Sequence, residues 1–190
     1  MLETEHKIKF KKKILRKFLL NRRSELASLY ESKNKAHVHL QPLLEDEKIC
    51  VGSYSSFRDE LSTNFIHDTL KEKKVNICLP IIDEVNGNMQ FKKYDKDTIF
   101  KKNKYGIKEP NHNSESIDPD LILVPLLSFN EEGYRTGYGG GFYDRYINKN
   151  SRNIIKVGVG FTFQEYQNLP IEPHDEKLDW ILTEKYLYKV

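Results

Sequence analysis

Cysteine is nearly absent: the chain has two, Cys50 and Cys78, each inside an apolar run. That excludes a disulfide framework and a cysteine-rich metal site, and both thiols read as small buried hydrophobes of a reducing compartment. No stretch reaches the roughly 18 consecutive apolar residues of a membrane span. The first residues are charged throughout, without the apolar core of a secretion signal. The cytoplasm is the expected location. Neither sign of charge dominates: 31 basic residues against 28 acidic ones leave +3, too little by itself to imply nucleic acid. Hydrophobic residues are few at 38%, yet aromatics reach 12%, which favours a heavily charged folded chain over a disordered one. A length of 190 residues suits a single domain, 1–190, with a real core and no internal repeat.

Glycine is sparse too, ten residues in all, and four of them, Gly137, Gly139, Gly140 and Gly141, fall within five positions. An apolar run, 121–129, precedes them and has the continuity of a strand buried on both faces. The turn Asn130-Glu131-Glu132-Gly133 breaks that run, and Phe142 starts a helix expected to reach about 148. A glycine loop between strand and helix turns N–H groups outward, and the helix dipole favours negative charge there. Phosphate is the natural guest. The loop matches neither the G-x-x-x-x-G-K-[ST] nor the G-x-G-x-x-G pattern, so a plain tight turn is the alternative. Arg135, Asp144 and Arg145 weigh against it, because a turn needs no charged frame.

Along the rest of the chain, residues 7–34 predict one long helix. Ile14, Leu15, Phe18, Leu19, Leu26, Leu29 and Tyr30 form its apolar stripe. Lys9, Lys11, Lys12, Lys13, Arg16, Lys17, Arg22 and Arg23 stand against that stripe as a solvated face, a nucleic-acid arm or a source of cations for a phosphate. Residues 33–47 read as polar and partly helical, with His37 and His39 exposed. A strand at 49–54, a helix at 59–71 and a strand at 75–82 make a strand–helix–strand unit with parallel pairing. Leu61, Phe65, Ile66 and Leu70 are the expected buried face of that helix. Residues 83–110 suggest a hairpin or meander around Asn86-Gly87, and 110–119 a polar linker. Further strands are expected at 154–163 and 180–183, where Gly158 and Gly160 suggest a close backbone approach. The reading is a three-layer α/β/α fold with a central, mostly parallel sheet and a long N-terminal helix. Ligands of such sheets bind beyond the carboxyl ends of the strands, which places 53–60, 128–144 and 161–164 at one edge.

The stretch P-L-L-S-F-N-E-E-G-Y-R-T-G-Y-G-G-G-F-Y-D-R-Y, the later L-P-I-E-P-H-D-E-K-L-D, the N-terminal K-K-I-L-R and S-Y-S-S-F-R-D-E-L-S-T together resemble the 5-formyltetrahydrofolate cyclo-ligase family. The resemblance spans almost the whole chain. It implies an enzyme that uses ATP and magnesium to convert 5-formyltetrahydrofolate to 5,10-methenyltetrahydrofolate, with ADP and phosphate released. By position it implies ATP contacts from Lys12, Lys13, Ile14, Leu15 and Arg16. Further ATP contacts fall on Arg135, Thr136, Gly137, Tyr138, Gly139, Gly140, Gly141, Phe142 and Tyr143. It implies folate contacts from Ser55, Glu60, Tyr138, Gly139, Gly140, Gly141 and Phe142, and magnesium on Asp144 and Asp175. Arg135 and Tyr143 are the expected catalytic pair, and Tyr54 or Phe57 an aromatic neighbour of the pterin. The family usually has leucine at Thr136 and tyrosine at Phe142, and the second change removes a hydroxyl.

From the residues alone two other readings stand: a sugar-phosphate isomerase using the glycine loop, and a noncatalytic nucleotide- or RNA-binding module using the first helix. The pair Asp144 and Asp175 favours the ATP enzyme, because hard cations take carboxylate and phosphate oxygens together. No nucleic-acid or membrane partner is expected, and the expected state is a monomer.

Overall fold

The computed structural model describes residues 2–45, 49–83, 87–104, 106–150 and 153–190. Helix α1 (Leu2–Glu31) opens the chain, and the short α2 (Ala36–His39) and a 3-10 turn (Gln41–Leu43) lead to strand β1 (Cys50–Gly52). Helix α3 (Asn64–Glu72) and strand β2 (Asn76–Ile82) complete the first crossover. Strand β3 (Met89–Tyr94) and the hairpin of β4 (Phe100–Lys102) and β5 (Lys108–Pro110) follow. Next come β6 (Leu121–Pro125), the two-residue partners β7 (Ser128–Phe129) and β8 (Arg135–Thr136), and helix α4 (Phe142–Lys149). Strands β9 (Ile155–Val159), β10 (Trp180–Leu182) and β11 (Leu187–Lys189) close the chain.

Seven strands form one sheet in the order β11-β10-β9-β6-β1-β2-β3. The five inner strands run parallel, and β3 and β11 pair antiparallel at the edges. Along β6, Leu121 and Leu123 pack in the core cluster that includes Ala36, Ile66 and Leu70, while Ile122 and Val124 join the opposite cluster with Tyr146 of α4. Both faces are therefore covered, as the α/β/α expectation requires. Each such aliphatic contributes about 1.5–3 kcal/mol by leaving water, and truncation of Leu123 to alanine would cost about 2–5 kcal/mol.

Several boundaries differ from the sequence expectation. The apolar run 121–129 is not one strand. It leaves the sheet after Pro125 and reappears as β7, paired with β8 through Ser128 and Thr136. Helix α3 begins at Asn64 instead of 59, so Leu61 is buried from the preceding loop, and Phe65 turns outward at 56% exposure. Strand β9 ends at Val159, and 162–164 is a 3-10 turn. Glycine at 160 admits the Leu126 side chain, which would lie 2.6 Å from an added Cβ, so the close approach is by a side chain and not by backbone. His37 and His39 are half-buried, with the His37 ring against Phe65 at 5.5 Å. The Asn86 side of the expected turn lies outside the described residues. Cys50 and Cys78 are buried and free, as expected.

The largest difference concerns α1. Its buried face holds Lys12, Leu19, Arg23 and Ala27, with Arg16 half-buried in line with them. These positions recur every three or four residues and so share one side of the helix. Ile14, Phe18 and Leu29, expected in the buried stripe, are 56%, 54% and 58% exposed. Long cationic side chains share the inward side with Leu19 of the expected stripe, and Leu15, Leu26 and Tyr30 of that stripe are half-buried. Among the described residues no helix is long and apolar enough to cross a membrane.

Candidate active site

From β1 the chain crosses to β2 on one side, and it later returns to β6 on the other side of β1. A crevice opens beyond the carboxyl ends of strands at such a reversal. A cavity of about 640 Å³ lies there, within the range of small-molecule sites. Loop residues after β1, the glycine loop, Lys12 and Arg16 of α1 and the turn 172–175 all line it. So do Asn103, Ile107, Lys108 and Glu109 of the β4–β5 hairpin, a segment whose residues carry no motif pointing to a site. The expected third contributor, 161–164, lies elsewhere. Its Gln164 amide donates to the carbonyls of Leu126 and Leu127, both at 2.9 Å, and so holds the segment where β6 leaves the sheet.

The glycine loop needs its glycines unequally. Gly139 has φ +99° and faces Arg16, whose Cζ would lie 3.0 Å from an added Cβ. Gly137 has an ordinary φ and open space around it, so its missing side chain leaves room on the cavity side. Arg16 Nε donates to Gly137 O at 3.0 Å, and Arg145 Nη1 to Gly140 O at 2.9 Å. The loop is thus pinned by two guanidiniums through its carbonyls. At Gly141, φ +63°, the chain turns into α4, and the first turn of that helix carries Asp144.

One end of the cavity is built from paired charges. Arg135 Nη2 donates to Asp144 Oδ1 at 2.7 Å, and its Nη1 donates to Glu176 O at 2.7 Å. Asp144 Oδ1 also accepts from the Glu176 amide at 3.2 Å. Lys12 is buried from α1 between two carboxylates, with Nζ 2.8 Å from Glu172 Oε2 and 2.6 Å from Asp175 Oδ2. Asp175 further accepts from the Glu172 amide at 2.7 Å, so the turn is closed on itself. Ligand atoms of Glu172, His174 and Asp175 lie within 4.8 Å of one another. Glu172 and His174 join Asp175 in a donor set that the spacing L-P-I-E-P-H-D only hinted at.

The other end is built from phenols around one carboxylate. Glu60 Oε2 accepts from the Phe57 amide at 2.8 Å, which closes the loop after β1, where Arg58 sits at φ 53°. Burial raises the Glu60 carboxyl above its ordinary value, against the opposing pull of the Phe57 amide, Arg23 and the Tyr138 hydroxyl. Burial first, and the Glu60 charge second, push Tyr138 up to about 12. The same two causes raise Tyr143 and Tyr54 strongly. All three phenols therefore stay neutral donors. The Tyr143 hydroxyl is buried and bonds to nothing among the described residues, and its electrostatic neighbours are Glu60 on one side and Arg135 on the other. It stands where the two ends meet.

Most residues implied by the resemblance converge here. Lys12, Arg16, Ser55, Glu60, Arg135, Thr136, the glycine loop with Tyr138, Phe142, Tyr143, Asp144 and Asp175 all line the cavity. Tyr54 and the half-buried Phe57 line it as well. Lys13 and Ile14 are exposed and line no part of it, and Leu15 borders a separate surface groove beside Tyr166 and Leu169. Phe142 is half-buried with the Arg145 guanidinium 5.1 Å from its ring centre, so its phenyl has an apolar and cationic setting that needs no hydroxyl. Thr136 is buried in β8.

The model of the 5-formyltetrahydrofolate cyclo-ligase family matches residues 8–184. The 5-formyltetrahydrofolate cyclo-ligase of Haemophilus influenzae is 33% identical over 170 residues, 85% of this chain and 91% of that protein. The Aquifex aeolicus 5,10-methenyltetrahydrofolate synthetase superposes with a TM-score of 0.75 at 25% identity, covering 94% of this chain and 92% of that one. The Mycoplasma pneumoniae 5,10-methenyltetrahydrofolate synthetase, at 24% identity and TM-score 0.71 over 92% and 99% of the two chains, shares the fold. The chain belongs to the 5-formyltetrahydrofolate cyclo-ligase family, and so to the ligases of folate one-carbon metabolism.

Proposed function

We propose that the chain converts 5-formyltetrahydrofolate to 5,10-methenyltetrahydrofolate at the expense of ATP, with magnesium, as a single-domain cytoplasmic monomer. What carries the reading is one cavity with a glycine-lined cationic end, a carboxylate–phenol end and Tyr143 between them. Nucleotide phosphates suit the first end. Arg16, Arg135 and the loop amides supply fixed positive charge, and phosphoryl transfer needs mainly positioning and neutralisation. The pterin suits the second. Glu60 accepts from its ring donors, and Tyr138 and the loop after β1 border it.

An N-formyl oxygen is a poor leaving group. Its attack on the terminal phosphorus of ATP releases ADP and leaves an iminium-like phosphate ester. The neighbouring folate nitrogen attacks that carbon, loses its proton, and phosphate departs as the five-membered ring closes. Arg135 neutralises the phosphoryl oxygens as charge moves toward the leaving groups. Tyr143, held neutral, donates a hydrogen bond at the reacting atoms.

Magnesium fits the donor set. Glu172 and Asp175 already converge on one cationic group, the Lys12 ammonium, and hard cations take carboxylate oxygens. Asp144 and Asp175, with Glu172 alongside, would hold the ion, which neutralises phosphate charge when bound. The RNA-binding alternative loses weight because the buried cations of α1, Lys12 and Arg23, face inward. The test mixes the protein with 5-formyltetrahydrofolate, ATP and magnesium and follows methenyl absorbance. Product that requires all three is the expected result. Folded protein that forms none overturns the reading.

A further inference from the structure

Arg23 is the largest side chain buried below 2% exposure, and it does not line the cavity. Its guanidinium is poorly satisfied. Nη1 reaches Leu126 O only at 3.4 Å, and Nε is buried with no partner among the described residues. Nη2 donates to the Tyr138 hydroxyl, and the guanidinium carbon lies 5.3 Å from the centre of the Tyr138 ring. The Tyr138 phenol in turn neighbours Glu60, the two groups acting on each other's titration, and both line the cavity. A buried, under-bonded cation contributes little to stability, and an apolar replacement of similar shape is often neutral or stabilising. The order of its contacts supplies another use.

We propose that Arg23 is a positioning residue for the folate end: guanidinium donates to phenol, phenol donates to carboxylate, and Glu60 is held in place toward the pterin. The proposal rests on the reading of Glu60 as the folate-facing carboxylate. Arg23 acts through Tyr138 at the tip of the glycine loop, so one residue of α1 ties the loop that handles phosphate to the carboxylate that handles folate. The other groups facing Glu60 are the Phe57 amide of its own loop, the Tyr54 phenol after β1 and the Tyr143 phenol of α4. None of these is cationic. Arg23 is thus the positive charge that opposes the desolvation of Glu60.

The experiment compares wild type, Arg23→Met and Arg23→Lys by steady-state kinetics across pH. Loss of a hydrogen bond to a charged group predicts a KM for 5-formyltetrahydrofolate higher by about tenfold or more in Arg23→Met, with KM for ATP and kcat changed less. The acid limb of kcat/KM for the folate should move to higher pH, because the carboxylate loses its counter-charge. Arg23→Lys, which restores the charge, should return the limb toward its wild-type position. Tyr138→Phe, which removes only the middle hydroxyl, should raise the folate KM and move the limb the same way, and it serves if Arg23→Met does not fold. An unmoved limb in both Arg23→Met and Tyr138→Phe, or an Arg23→Met defect confined to thermal stability, overturns the role given to Arg23. Wild-type protein that neither binds nor turns over 5-formyltetrahydrofolate overturns the underlying function along with it.

Discussion

The two ends of the cavity handle charge in opposite ways. At the cationic end two of the cations already have their opposites, Arg135 with Asp144 and Lys12 with Glu172 and Asp175, while Arg16 is held by the Gly137 carbonyl. At the phenol end the Glu60 carboxylate has no ion-pair partner in contact, only the Phe57 amide, the more distant Arg23 and the Tyr138 phenol opposing its burial, and the Tyr143 hydroxyl has no partner at all among the described residues. A site for an anion that arrives with its own metal gains from internal pairs, because partners can be exchanged without stranding a charge in low dielectric. A site for a neutral, flat heterocycle gains from unpaired donors and acceptors that the ligand alone satisfies.

The sharpest break in that comparison is Arg135→Leu. It removes the cation aimed at the phosphoryl group and strands Asp144, so kcat should fall by about 10²–10³-fold. Circular dichroism checks that the fold survives, and a smaller loss would move the phosphate elsewhere. Glu60→Gln breaks the other end, raising the folate KM about tenfold or more with ATP kinetics nearly unchanged. It also carries a stability sign. The Glu60 carboxyl is raised on folding, chiefly by burial, so the stability it contributes is fully present below its unfolded-state pKa. That stability is lost as pH rises through the folded value. The neutral amide should then match the parent at acid pH and melt higher than the parent at pH 8 by calorimetry. Gly139→Ala forces a side chain into left-handed backbone and against Arg16, and should cost about 1–3 kcal/mol in denaturant melts. Gly137→Ala, with open space around it, should leave stability within about 0.5 kcal/mol. Phe142→Tyr is the mildest: the ring already packs under Arg145, so kcat/KM should change less than about threefold.

Much of this was legible in the residues. The crossover at 49–82, the buried strand at 121 and the glycine loop could be read because period, length and punctuation are local signals. The loop's charged frame, Arg135 and Asp144, marked the cationic end correctly as one place. What could not be read depends on contacts far apart in sequence. The break after Pro125 exists because Gln164 holds the carbonyls of Leu126 and Leu127, some 38 residues away. The β4–β5 hairpin has no motif that announces a cavity. Periodicity assigned the buried side of α1 to its apolar stripe, and the structure buries Lys12 and Arg23 beside Leu19 while Ile14, Phe18 and Leu29 turn outward. Only the site could have predicted that, because those cations find carboxylates and a phenol that sequence distance hides.

That inward face has a consequence for how the molecule holds together. Along a helix of 30 residues, the fully buried apolar side chains among the described residues are Leu19 and Ala27. Tyr30 adds ring contacts with Phe161 and Phe163 at one end, and further along the grip is polar, through Lys12, Arg16 and Arg23, two of which line the cavity. Docking of α1 and occupation of the cavity are therefore two readings of one equilibrium. Protease cleavage within α1 should speed up in high salt and slow down when nucleotide is present, so a simple digestion would report ligand binding with no chemistry at all.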